Sequence, residues 1–314
     1  MYDLVIIGGG PGGVAAGVYA ARKKMKTALV TETFGGQSLV SADVQNWIGT
    51  KSVSGYDLGK MLEEHLRAQE GIEIMDGDLV TKVEKSGSGF VVRTKSGKTI
   101  EARYVLVASG SRRRRLGIPG EDEWEGKGVA YCSICDAPLF KGKDVAVVGG
   151  GNAGLEAAID LLPYAAKIYL LEYSDTLRGD QITQDKIKKE KNVHVIYRAQ
   201  SLEVKGEKMV TGLRYLDTAL NQEKELAVGG VFVEIGIVPN SEIVKGVVEI
   251  NKFGEVVVDH QTYRTSEPGI WAVGDVTDVL YKQNNISAGD AVKAVLNIYD
   301  SMVKSHAEAG TARA

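Results

Sequence analysis

The chemistry available to this chain starts with two thiols. Cys132 and Cys135, separated only by Ser133 and Ile134, are the sole cysteines among 314 residues. At this spacing, and without the many cysteines of a disulfide-stapled scaffold, they read as a redox couple that opens and closes one disulfide. Two ordinary thiols that happen to lie close is the plainer alternative. A structural zinc site needs four ligands, and His65, His194, His260 and His306 stand at no ligand spacing from the pair. Thiolate is the reactive form, so a working pair needs surroundings that lower a thiol from its free pKa of about 8.5.

A second chemistry lies in glycine. Glycine supplies 38 of the 314 residues, about 12% against an average of about 7%. With no collagen-like period, the excess points to turns where backbone approaches something closely. The densest run, Gly8-Gly9-Gly10-Pro11-Gly12-Gly13, follows the apolar stretch Leu4 to Ile7 and opens an alanine-rich helical stretch ending near Arg22 to Lys24. A strand from Thr27 to Thr31 then delivers Glu32. The pattern returns 141 residues later, as Val145 to Val148 and then Gly149-Gly150-Gly151-Asn152-Ala153-Gly154. A helix to about Leu162, broken at Pro163, and a strand from Ile168 to Leu171 lead to Glu172.

Both copies place G-x-G-x-x-G between a strand and a helix, with an acidic residue 19 or 18 positions past the last glycine. That context marks a dinucleotide-binding fingerprint. The first glycine, Gly8 or Gly149, permits the turn. The second, Gly10 or Gly151, lets backbone reach a pyrophosphate, and the third, Gly13 or Gly154, lets helix pack on strand. Backbone N–H groups at the helix start, where Pro11 and Asn152 stand, hold phosphate, while Glu32 and Glu172 accept hydrogen bonds from ribose hydroxyls. The expected fold class is α/β, with two Rossmann-like dinucleotide-binding domains.

Other elements must complete these domains. Strand-like runs with turn residues over 72 to 108 suggest a β-meander, ending in the buried strand Tyr104 to Ala108 and the turn Ser109-Gly110. A similar run ends at Gly229 to Gly236. Gly269 to Asp275 reads as a strand delivering Gly274 and Asp275, and a helix is expected from Ala288-Gly289 to about Tyr299, with a frayed tail from Ser305 onward. The net charge of −3, from 38 basic and 41 acidic residues, gives a nucleic-acid partner no support. No apolar run approaches the roughly 18 residues of a membrane span. Met1-Tyr2-Asp3-Leu4 enters a strand without a charged leader, so a cytoplasmic chain is expected. The run Arg112 to Arg115 reads as a solvated crossover, or alternatively as an attractor of phosphate or of an acidic partner.

The two fingerprints around Cys132-Ser133-Ile134-Cys135-Asp136, with Gly274-Asp275 near the end, resemble the low-molecular-weight thioredoxin reductase family, from about Asp3 to Tyr299. Phe34-Gly35-Gly36-Gln37, Gln45-Asn46-Trp47 and Lys282-Gln283 resemble that family's flavin-contacting segments. Leu139 to Lys143, Leu171-Glu172-Tyr173 and Asp175-Thr176-Leu177 are most similar to the reductase portion of the alkyl hydroperoxide reductase flavoproteins. The amino-terminal thioredoxin-like domain of those flavoproteins has no counterpart in a sequence that starts at the first fingerprint, so a dithiol shuttle is expected on a separate protein.

The resemblance implies that residues 1–115 and 243–314 bind FAD, and that an inserted domain, 116–242, binds the nicotinamide cofactor and carries the cysteine pair. It implies that Asp275 bonds the FAD ribitol, that Gln37, Asn46 and Gln283 surround the flavin, and that Gly36, Gly110, Gly274 and Lys282 belong to the same site. Ser109 and Lys282 depart from the family's usual alanine-threonine-glycine turn and arginine, which bears on binding strength. Electrons are implied to pass from the nicotinamide through flavin to the Cys132–Cys135 pair, with Cys135 nearer the flavin, Cys132 attacking the partner disulfide and Asp136 relaying a proton. A homodimer, a thioredoxin- or glutaredoxin-like partner, and rotation about hinges near Arg115-Leu116 and Pro239-Asn240 follow from the same resemblance.

Family members that use NADPH carry a histidine-arginine-arginine run where this sequence has Glu172, Tyr173 and Ser174, leaving only Arg178. Two like charges about 4 Å apart repel by roughly 4 kcal/mol at an effective dielectric near 20, so Glu172 predicts NADH over NADPH. Two alternatives stay open. One is a flavin reductase, oxidase or ferredoxin-linked relative in which the cysteine pair is secondary. The other is a redox-sensing flavoprotein without turnover.

Overall fold

The computed structural model describes residues 1–41 and 44–311, apart from the side chains of residue 40 and residues 305–311. Strand β1 (Tyr2–Gly9) buries Leu4, Val5, Ile6 and Ile7 almost completely, as a parallel strand covered on both faces must. It turns at Gly10 into helix α1 (Pro11–Arg22), where Pro11 occupies a first-turn position whose N–H has no helical acceptor. Strand β2 (Thr27–Phe34) and helix α2 (Gly55–Arg67) follow, the Ser54 hydroxyl capping α2 by accepting the Asp57 N–H at 3.0 Å.

Strands β3 (Ile72–Asp76), β4 (Val80–Ser86), β5 (Gly89–Thr94) and β6 (Thr99–Val107) complete one sheet in the order β3-β2-β1-β6-β5-β4. Only part of the expected meander forms. β4, β5 and β6 pair antiparallel, whereas β3 lies parallel to β2, with Thr27 opposite Ile72. The helix α2 between β2 and β3 is the physical reason, because a helical crossover returns the chain in the same direction.

The chain then leaves through β7 (Ser111–Arg113). A second compact unit comprises residues 113–237 together with residue 41, and the first comprises residues 1–40, 44–112 and 238 onward. In the second unit β8 (Val129–Ala130) precedes the short helix α3 (Ser133–Asp136). Then come β9 (Asp144–Val148), α4 (Asn152–Leu161), β10 (Lys167–Leu171), α5 (Gln181–Ile187) and β11 (Val193–Ile196). An antiparallel sheet of β12 (Ala199–Gly206), β13 (Val210–Asp217) and β14 (Gln222–Ala227) intervenes before β15 (Gly230–Val233). The parallel sheet runs β11-β10-β9-β15-β8.

Side chains alternate across β9, and the core of this unit divides accordingly. Val145 and Val147 pack with Leu155, Leu161 and Phe232, while Ala146 and Val148 pack on the other face with Val231, Leu213 and Tyr215. Phe232 meets Phe140 edge to face at 4.9 Å, the geometry that aromatic quadrupoles favour.

The return strand β16 (Ile237–Pro239) pairs with β7. The residues expected as pivots make their hydrogen bonds within one unit or the other. Asn240 exchanges hydrogen bonds with Ser109 within the first unit, at 2.8 Å in both directions. Leu116 and Gly117 give their N–H groups to Glu121 within the second. Strand β17 (Ile270–Ala272) adds parallel to β6, and helix α6 spans Asn284–Thr311. The helix thus starts before Ala288 and continues through Ser305, past the expected fraying point, over alanine- and glutamate-containing sequence of good helix propensity. Residues 312–314 lie outside the described residues. Among the described residues, no helix is long and apolar enough to cross a membrane.

Candidate active site

Each unit presents one glycine cradle, and the two are built alike. Gly8 has φ +113°, and a Cβ there would lie 2.3 Å from the Ala108 carbonyl oxygen. Gly13 packs so closely on the turn that its Cβ would lie 1.8 Å from the Gly8 oxygen. Gly10 between them would meet only Gly36, at 3.9 Å. In the second unit Gly149 has φ +123°, with a would-be Cβ 2.4 Å from the Glu234 oxygen, and Gly154 would clash with Gly149 at 1.7 Å. Gly151 has open space around it. The outer glycines are therefore demanded by packing, while the middle one leaves bare backbone facing room, as a pyrophosphate requires. Asn152 opens α4, and its side-chain oxygen accepts the Asp180 N–H at 2.7 Å; Pro11 is buried at the start of α1.

Within the first unit a polar cluster stands on elements distant in sequence. Gln37 donates to the Ser111 hydroxyl at 2.8 Å and to Asp275 Oδ2 at 3.5 Å, and Ser111 donates to the same Asp275 oxygen at 3.4 Å. Asn46 donates to Gln283 at 3.2 Å. Gly36, Gly110 and Gly274 all have positive φ, at +57°, +66° and +71°. Lys282 points its ammonium at Glu255 Oε1 (3.0 Å) and at the carbonyls of Asp275 and Thr277; its charge is committed to the turn that carries Asp275. Glu32 is exposed but lies within β2, which continues two residues beyond it to Phe34 rather than stopping at Thr31 as expected. Ser111, which sequence reasoning passed over, lies at the centre of the Gln37–Asp275 pair; no local motif marks it.

Cys132 and Cys135 form a disulfide, both half-buried, at the start and middle of α3. Helix α3 is only a single turn, and Pro138 leads the chain out of it through a 3-10 turn. Ser41 brings its hydroxyl to 3.3 Å from the Cys135 sulfur. No charged side chain among the described residues offsets the desolvation of Asp136, and burial pushes its carboxyl up to about 6. Burial disfavours the charged form of an acid. This carboxyl thus keeps a proton into the mildly acidic range.

Glu172, just past β10, is 1% exposed. Its Oε2 accepts the Gly150 N–H at 2.8 Å, and its Oε1 accepts both the N–H (2.8 Å) and the hydroxyl (2.6 Å) of Ser174, with Arg178 at 3.3 Å. Burial pushes this carboxyl up, but the Ser174 and Gly150 hydrogen bonds and the Arg178 charge together outweigh it and hold it below its ordinary value. A carboxylate offers about four lone-pair sites. Three of the four contacts crowd Oε1 and one reaches Oε2, so Oε2 has a single donor among the described residues, and the longest contact is the one to the mostly exposed Arg178. Ser174 was missed from sequence, although a hydroxyl two residues past a strand-end carboxylate is a readable signal.

The arginines of the 112–115 run find local acceptors. Arg112 bonds Asn240 and Glu242, and Arg115 bonds Asp122, Glu125 and the Tyr131 hydroxyl. Among the described residues no cluster of histidine, cysteine and carboxylate side chains is gathered as a metal would need.

The sequence pattern of the pyridine nucleotide-disulphide oxidoreductase family matches residues 2–304. The chain is 43% identical over 312 residues to one component of the alkyl hydroperoxide reductase of Pseudomonas putida, covering 98% of this chain and 59% of that protein. It is 40% identical over 304 residues to an NADH dehydrogenase of Bacillus subtilis, covering 97% and 59%. The chain thus spans only 59% of the length of these curated relatives. Among solved structures, thioredoxin reductase from Streptococcus pyogenes matches with TM-score 0.83 at 33% identity, over 97% of this chain and 99% of that one.

Two expectations follow from this geometry. Gly151→Ala should fold with little change in thermal stability and weaken any dinucleotide binding at the second cradle about tenfold or more, whereas Gly154→Ala should destabilise the second unit by several kcal/mol; equal stability loss in both variants would defeat the assignment of roles. For Asp136, a carboxyl that keeps its proton longer when folded loses stability as pH rises from its unfolded pKa near 4 to about 6, and the loss persists above that. Asp136→Asn should therefore melt higher than the parent at pH 8 and level with it near pH 4, with thermal melts across that range as the check.

Proposed function

The chain belongs to the pyridine nucleotide-disulphide oxidoreductase family, and on that premise we propose that it is an FAD-dependent disulfide reductase carrying electrons from NADH to the disulfide of a thioredoxin- or glutaredoxin-like protein. The observation that carries this reading is the joining, in one polypeptide, of a half-buried Cys132–Cys135 disulfide to two glycine cradles of the same build.

The first cradle, with residues 1–115 and 243–314, is assigned to FAD. Gly8, Gly10 and Gly13 would face its pyrophosphate, Glu32 its ribose, and the Gln37–Ser111–Asp275 cluster its ribitol and ring. The bare backbone at Gly10 and the linked polar side chains support that fit. The second cradle, in residues 116–242, is assigned to the nicotinamide cofactor through Gly149, Gly151, Asn152 and Gly154. When bound, FAD supplies two-electron exchange between a nicotinamide and a disulfide.

The remaining steps belong to the chain's own residues. Reduced Cys132, as thiolate, attacks a sulfur of the partner disulfide and forms a mixed disulfide. Cys135 then attacks Cys132, restoring the internal disulfide and releasing the partner as a dithiol. Asp136, beside Cys135 and able to hold a proton up to about pH 6, is the candidate donor to the thiolate that leaves.

Preference for NADH rests on Glu172. Its carboxylate is buried and held in its charged form by Ser174 and Gly150, so a 2′-phosphate brought beside it meets an anion, whereas a ribose diol meets an acceptor. Arg178 neutralises little, because its side chain is 71% exposed and exposed charges are strongly screened.

Steady-state kinetics with an added thioredoxin tests both halves. Cys132→Ser should abolish NADH-dependent reduction of the thioredoxin while NADH still bleaches the flavin absorbance at close to the parent rate. Retained thioredoxin reduction would end the disulfide-reductase reading. In the parent, kcat/KM should favour NADH over NADPH by at least about tenfold, a difference of about 1.4 kcal/mol, and equal use of the two would remove Glu172 from the account.

A further inference from the structure

We propose that Glu255 is a positioning residue for the flavin site: it holds the Lys282 ammonium against the turn that carries Asp275, so that Lys282 acts on FAD through the turn and not by touching it. The proposal rests on the reading of the first cradle as the FAD site. A lysine ammonium has three N–H donors and no acceptor. Here the donors meet Glu255 Oε1 at 3.0 Å, the Asp275 carbonyl at 3.3 Å and the Thr277 carbonyl. Three acceptors for three donors leave the ammonium no hydrogen bond to give a phosphate or a flavin ring.

Glu255 is fixed independently of the lysine. Its second oxygen, Oε2, accepts the Asn251 side-chain amide at 2.9 Å, and the Asn251 oxygen accepts the N–H groups of Phe253 at 2.9 Å and Glu255 at 3.1 Å. The hairpin closed in this way, over residues 250–256, runs alongside the Asp275 turn. The Val256 N–H donates to the Val276 carbonyl at 2.9 Å, and the Asp278 N–H donates to the Val256 carbonyl at 3.1 Å. Carboxylate and turn therefore share one backbone frame, into which Lys282 places its charge.

The turn itself, Gly274–Val276, is a single 3-10 turn entered at a glycine with φ +71°. The fully buried Thr277 returns its N–H (3.0 Å) and its hydroxyl (2.7 Å) to the Gly274 carbonyl, and Lys282 takes the carbonyls of 275 and 277. Beyond the turn, the Asp275 carboxylate meets Gln37 and Ser111. Lys282 is followed by Gln283, which accepts from Asn46 at 3.2 Å. One ammonium thus anchors two residues assigned to the flavin, Asp275 through its carbonyl and Gln283 as its chain neighbour. Both side chains of the Lys282–Glu255 pair are 20% exposed. Ion pairs contribute little net stability whether exposed or buried, and fixing registry is their better-attested use.

The test dilutes the full-chain holoprotein in steps and reads released FAD by its fluorescence, beside thermal melts of the same samples. Lys282→Met should raise the FAD dissociation constant about tenfold, and Glu255→Ala should do the same. The double variant should bind FAD no more weakly than Lys282→Met alone, because Glu255 works through the ammonium and residues that act as one unit are non-additive. Glu255→Gln, which keeps an oxygen for the ammonium without the charge, should weaken binding by less than Glu255→Ala, and takes its place in the cycle if that variant does not fold. Losses that multiply in the double variant overturn the proposal, since Glu255 would then be a structural residue independent of Lys282. Unchanged or tighter FAD binding in Glu255→Ala, beside a loss in Lys282→Met, also overturns it, being the mark of a lysine that touches the cofactor itself. A parent that neither carries nor takes up FAD overturns the reading of the first cradle, and the proposal with it.

Discussion

Each strand-to-helix reversal is closed by a glycine that lies on the carbonyl of the glycine five residues before it, Gly13 on Gly8 and Gly154 on Gly149. A Cβ at the later position would come within 1.8 or 1.7 Å of that oxygen, closer than any non-bonded contact. The helix can start where it does, packed on its own strand, only because both atoms are missing. From this follow the direction of the helix axis, the exposure of the N–H groups at its first turn, and the bare backbone at Gly10 and Gly151. The sheets behind serve the same end. β1 and β9 are buried on both faces, so the reversal is anchored in the least yielding part of each unit.

The acidic residues of the second unit show how far surroundings decide what one functional group does. Asp136 and Glu234 are both raised, mainly by burial. Glu172 has almost no solvent-exposed surface, yet it is lowered, because the Ser174 and Gly150 hydrogen bonds and the Arg178 charge outweigh its desolvation. Hydrogen bonds to the ionised form, rather than depth alone, separate a permanent anion from a group that trades a proton near neutral pH. The sequence shows three carboxylic acids; their differing chemistry is a property of their contacts.

The α/β class and the resemblance to a disulfide oxidoreductase family were legible because their signals are local. A fingerprint is decided within six residues, and its repeat after 141 residues needs no knowledge of what packs on it. The redox spacing of Cys132 and Cys135 is equally local. What escaped sequence reading is set by partners far along the chain. Residues 72 to 76 read as part of a meander because strand propensity does not name a neighbour, and the parallel pairing with β2 followed from the helix in between. The early start of α6 accompanies side-chain bonds from Asn284 to Ser38 and from Asn285 to Asn46, across 246 and 239 residues. Ser111 and Glu255 belong to the same class: neither sits in a motif, and each acquires its place from residues tens of positions or more away.

The two cradles share a backbone but not a flank, and the difference bears on selectivity. In the first copy β2 continues past Glu32 to Phe34, so the carboxylate stays on an extended strand and is exposed. In the second, β10 stops at Leu171, and the chain folds back at once: the Arg178 N–H bonds the Gly150 carbonyl at 2.8 Å, and a Cβ on Gly179 would lie 2.3 Å from Leu155. That return buries Glu172 and brings Ser174 and Arg178 onto it. An exposed carboxylate on an extended strand can swing toward or away from a ribose, and solvent screens its charge. A buried one held by Gly150 and Ser174 cannot move aside for a phosphate, and its field acts through protein rather than water. The proposed discrimination against a 2′-phosphate would thus depend less on having glutamate at this position than on the segment from 172 to 179 that immobilises it. A glutamate introduced at the end of an unfolded-back strand would lack that rigidity and discriminate less.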